Sequence, residues 1–259
     1  MVDIPPAADT APAPETIARV RRGRVHIVDF LRGIAILAVI AYHFCWDLDE
    51  FGFARLDLFA DPFWLTARTA IAGSFLFIAG FSLVLATADG INWRRYWIRF
   101  ARIVLCAVLV SAVTYWNYPG SGVFFGILHL IATATILGLV FLRVPAVLTA
   151  LFAVVLFAID YAPQPWLSAD WLLWLGLGTQ PVHAVDYTPL VPWLGFFLLG
   201  LAAARVAISS PWWAGIARWR MEDGLGTAVR FLGRHTLVIY LVHQPILFGL
   251  FFLWLYLAQ

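Results

Sequence analysis

The stretch RVHIVDFLRGIAILAVIAYHFCWDL, residues 24–48, decides the fold. Between Ile27 and Cys45 its only ionisable groups with a charge or proton to exchange near neutrality are Asp29, Arg32 and His43. The run is close to the roughly 20 apolar residues that a helix needs to cross a bilayer. The rest of the chain is of the same kind: of 259 residues 63% are hydrophobic and 12% charged, and the mean hydropathy is +0.86. An average soluble domain is about half apolar and a quarter charged, so a water-soluble fold has no means of hiding this surface. The expectation is an all-α integral membrane protein, a bundle of about seven transmembrane helices in contact with the lipid bilayer, with one membrane domain over 27–259.

Working outward, apolar runs between charged or Pro/Gly-rich breaks predict spans near 27–45, 63–86, 97–116, 122–142, 145–162, 190–208 and 232–258. The segment 166–177 is apolar but short and holds Trp166, Trp171 and Trp174, which reads as an interfacial or re-entrant segment. Its tryptophans suit stacking on a sugar ring as well as anchoring at the interface. Residues 1–26 are rich in Pro and Ala, end in a cluster of arginines and lack the pattern of a cleaved signal peptide, so a disordered cytoplasmic tail is expected.

Orientation follows from arginine alone, because all 17 basic residues are Arg. Arg19 to Arg24, then Arg94, Arg95 and Arg99, then Arg143, then Arg218, Arg220, Arg230 and Arg234 fall in alternate connections, which the positive-inside rule places in the cytoplasm. The connections carrying Asp47, Asp49, Glu50, Asp57 and Asp61, and later Asp170, His183 and Asp186, then face outward. The N-terminus is expected in the cytoplasm. A formal net charge of +2 does not suggest a nucleic-acid partner, and Cys45 and Cys106 have the spacing of neither a metal site nor a disulfide framework, so no metal is expected.

Ionisable groups inside spans are expensive unless paired or hydrated, which makes each one a functional candidate. At about 100° per residue, with Arg32 at zero, His43 falls near ~20° and Asp29 and Asp47 both near ~60°, so all four share one narrow face of the first helix. That face runs from Asp29 and Arg32, a pair that is also explained as a structural salt bridge, to His43 and Asp47, with Arg32 and His43 about 16 Å apart along the axis. A carboxylate beside an imidazole fixes its tautomer and raises its basicity, as a general base requires, which makes His43 with Asp47 the catalytic candidate; a satisfied polar residue at the interface also explains His43, and a solvated loop charge among acidic neighbours explains Asp47 equally well. His129, in FGILHLIA (125–132), lies at a similar depth and ranks second. His243, followed by Gln244 and Pro245, is explained by an interhelical hydrogen bond as well as by catalysis. Arg68, near the outer end of the second span, either snorkels to the interface or binds an anionic group. His26, His183 and His235 are assigned no role. No phosphate loop, nucleophile elbow or HExxH motif is present.

Taken in order, residues 24–48, AGSFLFIAGFSL (72–83), FGILHLIA, DYTPLVPWLGFFLLG (186–200) and GRHTLVIYLVHQPIL (233–247) resemble the bacterial branch of the heparan-alpha-glucosaminide N-acetyltransferase catalytic-domain family, within the transmembrane acyltransferase superfamily. The resemblance implies an enzyme that takes an acyl group from cytoplasmic acetyl-CoA or another acyl-CoA and passes it to an acceptor, typically a carbohydrate, on the other side. It also places Asp29, Arg32 and Gly33 in the signature at the start of the first span, His43 and Asp47 in the bacterial motif at its outer end, and His129 and His243 in the later histidine motifs. The lysosomal branch has Asn where His43 stands and its active-site histidine in the following loop, whereas residues 46–62 here contain no histidine. His43 as base therefore rests on the bacterial pattern and its own surroundings. Phosphates of the donor are expected near Arg94, Arg95 or the N-terminal arginines, and a homodimer is expected by analogy only. A proton- or solute-coupled transporter is the main rival reading, since a line of Asp, Arg and His also suits a proton relay. A non-catalytic membrane subunit is the third.

Overall fold

A computed structural model describes residues 24–159 and 162–258. Residues 1–23 of the expected tail, with Arg19, Arg21 and Arg22, lie outside the described residues. Seven apolar helices stand where the hydropathy pattern places spans. They are α1 (His26–Glu50), α2 (Pro62–Thr87), α3 (Trp93–Asn117), α4 (Ile127–Phe141), α5 (Ala146–Ile159), α6 (Leu190–Ser209) and α9 (Thr236–Leu257), with the short α7 (Trp213–Arg218) and amphipathic α8 (Gly224–Arg234) between the last two. Five of them, α1, α2, α3, α6 and α9, are long and apolar enough to cross a membrane unaided. At 15 and 14 residues, α4 and α5 reach only about 22 and 21 Å, less than the ~30 Å hydrocarbon core.

Local chemistry sets the boundaries. Asp61 caps α2 by accepting the Phe63 N–H at 2.7 Å, with Pro62 in the first helical position, where its missing N–H is harmless. Asn92 caps α3 through the Arg95 N–H, 3.0 Å, so the helix begins at Trp93, earlier than expected, and takes Arg94 and Arg95 into its first turn. The fourth span is shorter than expected at its start. Residues 121–125 are drawn instead to the segment before α6, where Val185 N–H donates to the Ser121 carbonyl and Thr188 N–H to that of Phe125, both at 2.8 Å. The tryptophan-rich segment forms two 3-10 turns, Pro165–Leu167 and Asp170–Leu175, ended by Gly176 at φ +80°.

The packing core is the α2–α6 pair, with α5 against α6. Gly80 faces the Phe197 carbonyl and Gly200 faces that of Phe77, so the two backbones touch where neither residue has a Cβ. Leu76, Leu130, Phe197, Leu198 and Leu201 fill the space around this contact. On the other side α8 lies on α1, with Gly33 against the Val229 carbonyl and Gly233 against that of Asp29. The last helix runs parallel to the first, as His43 meets His243 and, further along, Phe51 stacks on Phe251 at 5.0 Å. The bundle thus has a near end, where α1 starts, and a far end, where it finishes.

Candidate functional site

Two polar clusters occupy opposite ends of α1. At the near end Asp29 is 2% exposed, and three arginines surround its carboxylate: Arg24 Nε at 2.5 Å, Arg32 Nη1 at 3.4 Å and Arg234 Nε at 3.6 Å. The expected Asp29–Arg32 pair is therefore present within a larger group. Arg32 also donates to Ser82 Oγ on α2, which in turn donates to the Ile78 carbonyl, both at 2.5 Å. The buried Arg230 bonds His26 Nδ1 at 3.1 Å and Thr227 Oγ1 at 3.0 Å. One carboxylate among this many guanidiniums leaves a surplus of positive charge, and planar guanidiniums suit phosphate. Arg94 and Arg95 stand exposed in the first turn of α3 and make no hydrogen bond to this cluster among the described residues.

At the far end Asp47 is fully buried, and the arrangement differs from the expected carboxylate–imidazole pair. Asp47 Oδ1 accepts a 2.6 Å hydrogen bond from Gln244 Nε2 of α9, and among the described residues no hydrogen bond joins Asp47 to His43. The His43 ring meets that of His243 edge-on, with centroids 4.9 Å apart. His243 Nδ1 lies 2.7 Å from the Tyr240 carbonyl. A carbonyl only accepts, so Nδ1 carries the proton and Nε2 keeps its lone pair. That Nε2 is buried and has no partner among the described residues, as is Asp47 Oδ2. Pro245 has no N–H to give, so the Leu241 carbonyl one turn earlier in α9 lacks its helical donor.

Tyr240 continues the polar line to His129. Its ring is 5.5 Å from that of His243, and it lines a small pocket with His129, Asp186, Gly126 and the apolar Ala107, Val110, Val123 and Leu128. His129 Nε2 is 3.4 Å from Ser111 Oγ, whose own proton is given to the Val123 carbonyl at 3.0 Å. Nε2 is then the donor, and the lone pair is on Nδ1, which is buried without a partner among the described residues. Arg68 is exposed on α2, near enough for its charge to act on Tyr42 and Asp186.

Sequence reasoning left Asp186 in an outer connection without a role. Its side chain turns inward, Oδ2 accepting the Ile127 N–H at 3.0 Å and Oδ1 the Thr188 hydroxyl at 2.9 Å, and so caps α4 from 59 residues away. Burial pushes its carboxyl above the usual carboxylate range, against the opposing pull of those two hydrogen bonds. Gly126 makes room, since a Cβ there would meet this carboxylate. Gln244, Arg234 and Ser82 were also missed, because each acts through a partner far away in the chain.

The family described as heparan-alpha-glucosaminide N-acetyltransferase, catalytic, matches residues 24–245. No curated protein and no solved structure matches.

Proposed function

The chain belongs to the heparan-alpha-glucosaminide N-acetyltransferase catalytic family, a family of membrane acetyltransferases, and from that premise we propose that it moves an acetyl group from acetyl-CoA, bound at the near end, to a saccharide acceptor at the far end. The observation that carries this reading is the pair of polar clusters at the two ends of α1, a surplus of guanidinium around Asp29 and a group of histidines around His43. The distribution of arginine supports a cytoplasmic near end and an external far end, and the resemblance to the bacterial branch of the family supports a bacterial inner membrane.

In this reading Arg32, Arg230 and Arg234 hold the phosphates of the donor, with Arg94 and Arg95 at the approach, and Asp29 keeps the cluster together. The thioester arm follows the polar face of α1. His43 is the general base that takes the proton of the attacking group, with His243 against it. Asp47 secures α1 to α9 through Gln244, which places the two imidazoles side by side. Arg68 lies at the acceptor's approach.

The test is acetyl-CoA binding and thiol release by the purified protein in nanodiscs, comparing wild type with His43→Ala. Saturable binding with thiol release that His43→Ala abolishes is the expected result. A folded protein that binds no acetyl-CoA returns the transporter reading to first place, since the same line of polar groups along α1 suits a proton relay.

A further inference from the structure

We propose that His129 and Asp186 form a subsite for the acceptor's protonated amine, in which Asp186 holds the cation and His129 removes its first proton. The proposal rests on the acetyl-transfer reading and extends it to the chemical form in which the acceptor is bound.

Three observations carry it. The Nδ1 lone pair of His129 is buried, has no partner among the described residues, and belongs to a ring whose other nitrogen is directed to Ser111. The carboxylate of Asp186 borders the same pocket, and its two hydrogen bonds use only part of its accepting capacity. The pocket has room for a group the size of one water or ammonium, not for a sugar ring, and its remaining wall is apolar apart from Tyr240. A lone pair and a carboxylate converging on so small a space suit a compact cation with several N–H donors. Arg68, whose charge acts on Asp186, is exposed on α2 and is not among the lining residues.

The proton balance explains why such a subsite is useful. Turning an ammonium and a thioester into an amide and a thiol breaks the C–S bond, forms the C–N bond and strips two protons from nitrogen. One proton ends on the thiolate and the other has to leave. His129 Nδ1 takes the first and releases it at the far end, which frees the nitrogen lone pair for attack. The neutral amine then leaves the subsite for the thioester beside His43, which takes the second proton as the C–N bond forms and hands it to the departing thiolate. A single imidazole would have to unload between the two steps.

Asp186→Asn separates this role from capping: with its oxygen turned to the Ile127 N–H it keeps the cap, its NH2 donates to the Thr188 hydroxyl, which then accepts, and the negative charge is gone. With glucosamine as probe and the full chain in nanodiscs, the variant should raise KM for glucosamine about 10-fold or more while KM for acetyl-CoA stays within about 2-fold, with no loss of thermal stability. Spectra of 15N-histidine-labelled protein should show the His129 signal moving as glucosamine is added to wild type and staying still in Asp186→Asn. An unchanged KM for glucosamine in the variant, or a His129 signal indifferent to glucosamine in wild type, overturns the subsite. Absence of thiol release by wild type defeats the acetyl-transfer reading instead, and the titration then still decides whether the amine binds here.

Discussion

Asp47 and Gln244 are 197 residues apart in the chain and are joined side chain to side chain at 2.6 Å. Both sit in membrane-spanning helices, so each is the other's means of satisfying a buried polar group. Gln244→Leu removes the donor and leaves the Asp47 carboxylate with both oxygens unpartnered. The expected loss is about 1–3 kcal/mol. Thermal unfolding in detergent should fall accordingly, and Asp47→Asn, which keeps a polar partner for Gln244, should fall less.

Asp29 is the hub of the near end. Asp29→Ala takes away the carboxylate shared by Arg32 and Arg234, which are 25% and 40% exposed, so solvent screens the charges left behind and the loss should be about 1–3 kcal/mol. Thermal unfolding in detergent should fall accordingly. Arg24→Ala is the contrast: its side chain is 56% exposed, so its ion pair is screened by solvent and the change should be less than about 1 kcal/mol.

Close backbone contact between α2 and α6 gives a packing prediction. A methyl group on Gly80 would run into the Phe197 carbonyl, which has no flexible end to move aside, so Gly80→Ala should destabilise by about 1–3 kcal/mol. Gly249→Ala on α9, where nothing lies within 4 Å, should be neutral or slightly stabilising. Melting temperatures of the two variants, measured side by side, check both statements.

If the near-end arginines hold the donor's phosphates, Arg32→Gln should raise KM for acetyl-CoA about 10-fold, the weight of one charge-assisted hydrogen bond. Added salt should weaken binding to wild type more than to the variant. Equal salt dependence in the two would remove Arg32 from the donor site.

Hydropathy made the helical bundle legible, because each apolar run is long relative to the breaks around it. The shared face of Asp29, Arg32, His43 and Asp47 was legible for a similar reason: on a helix, neighbours in angle follow from spacing alone. Partners across the bundle do not follow from spacing. Arg234 reaches Asp29 only because α8 folds back onto α1, and GLGTAVRFLGR is too short and too polar to stand out as a helix beside the spans. The expected span 232–258 was read as continuous, whereas His235 ends α8 and opens α9. Asp47 was read as a partner for His43 because the two are four residues apart. Gln244, with two N–H groups to give and an apolar helix around it, competes better for that carboxylate. Asp186 was hidden by its place in a connection, where a carboxylate is ordinarily solvated.

The far-end cluster draws on α1 and on α9, so it cannot exist in a chain still being made. When α1 enters the membrane, Asp47 and His43 arrive without Gln244 and His243, and those residues are some 200 positions away from the ribosome's exit. At about 5–20 residues per second that wait is roughly 10–40 seconds. During it, a buried carboxylate and an imidazole have to be tolerated by water at the interface or by the insertion machinery. A nascent chain halted before α9 would already cross the membrane several times and yet lack the contacts that set His43 against His243.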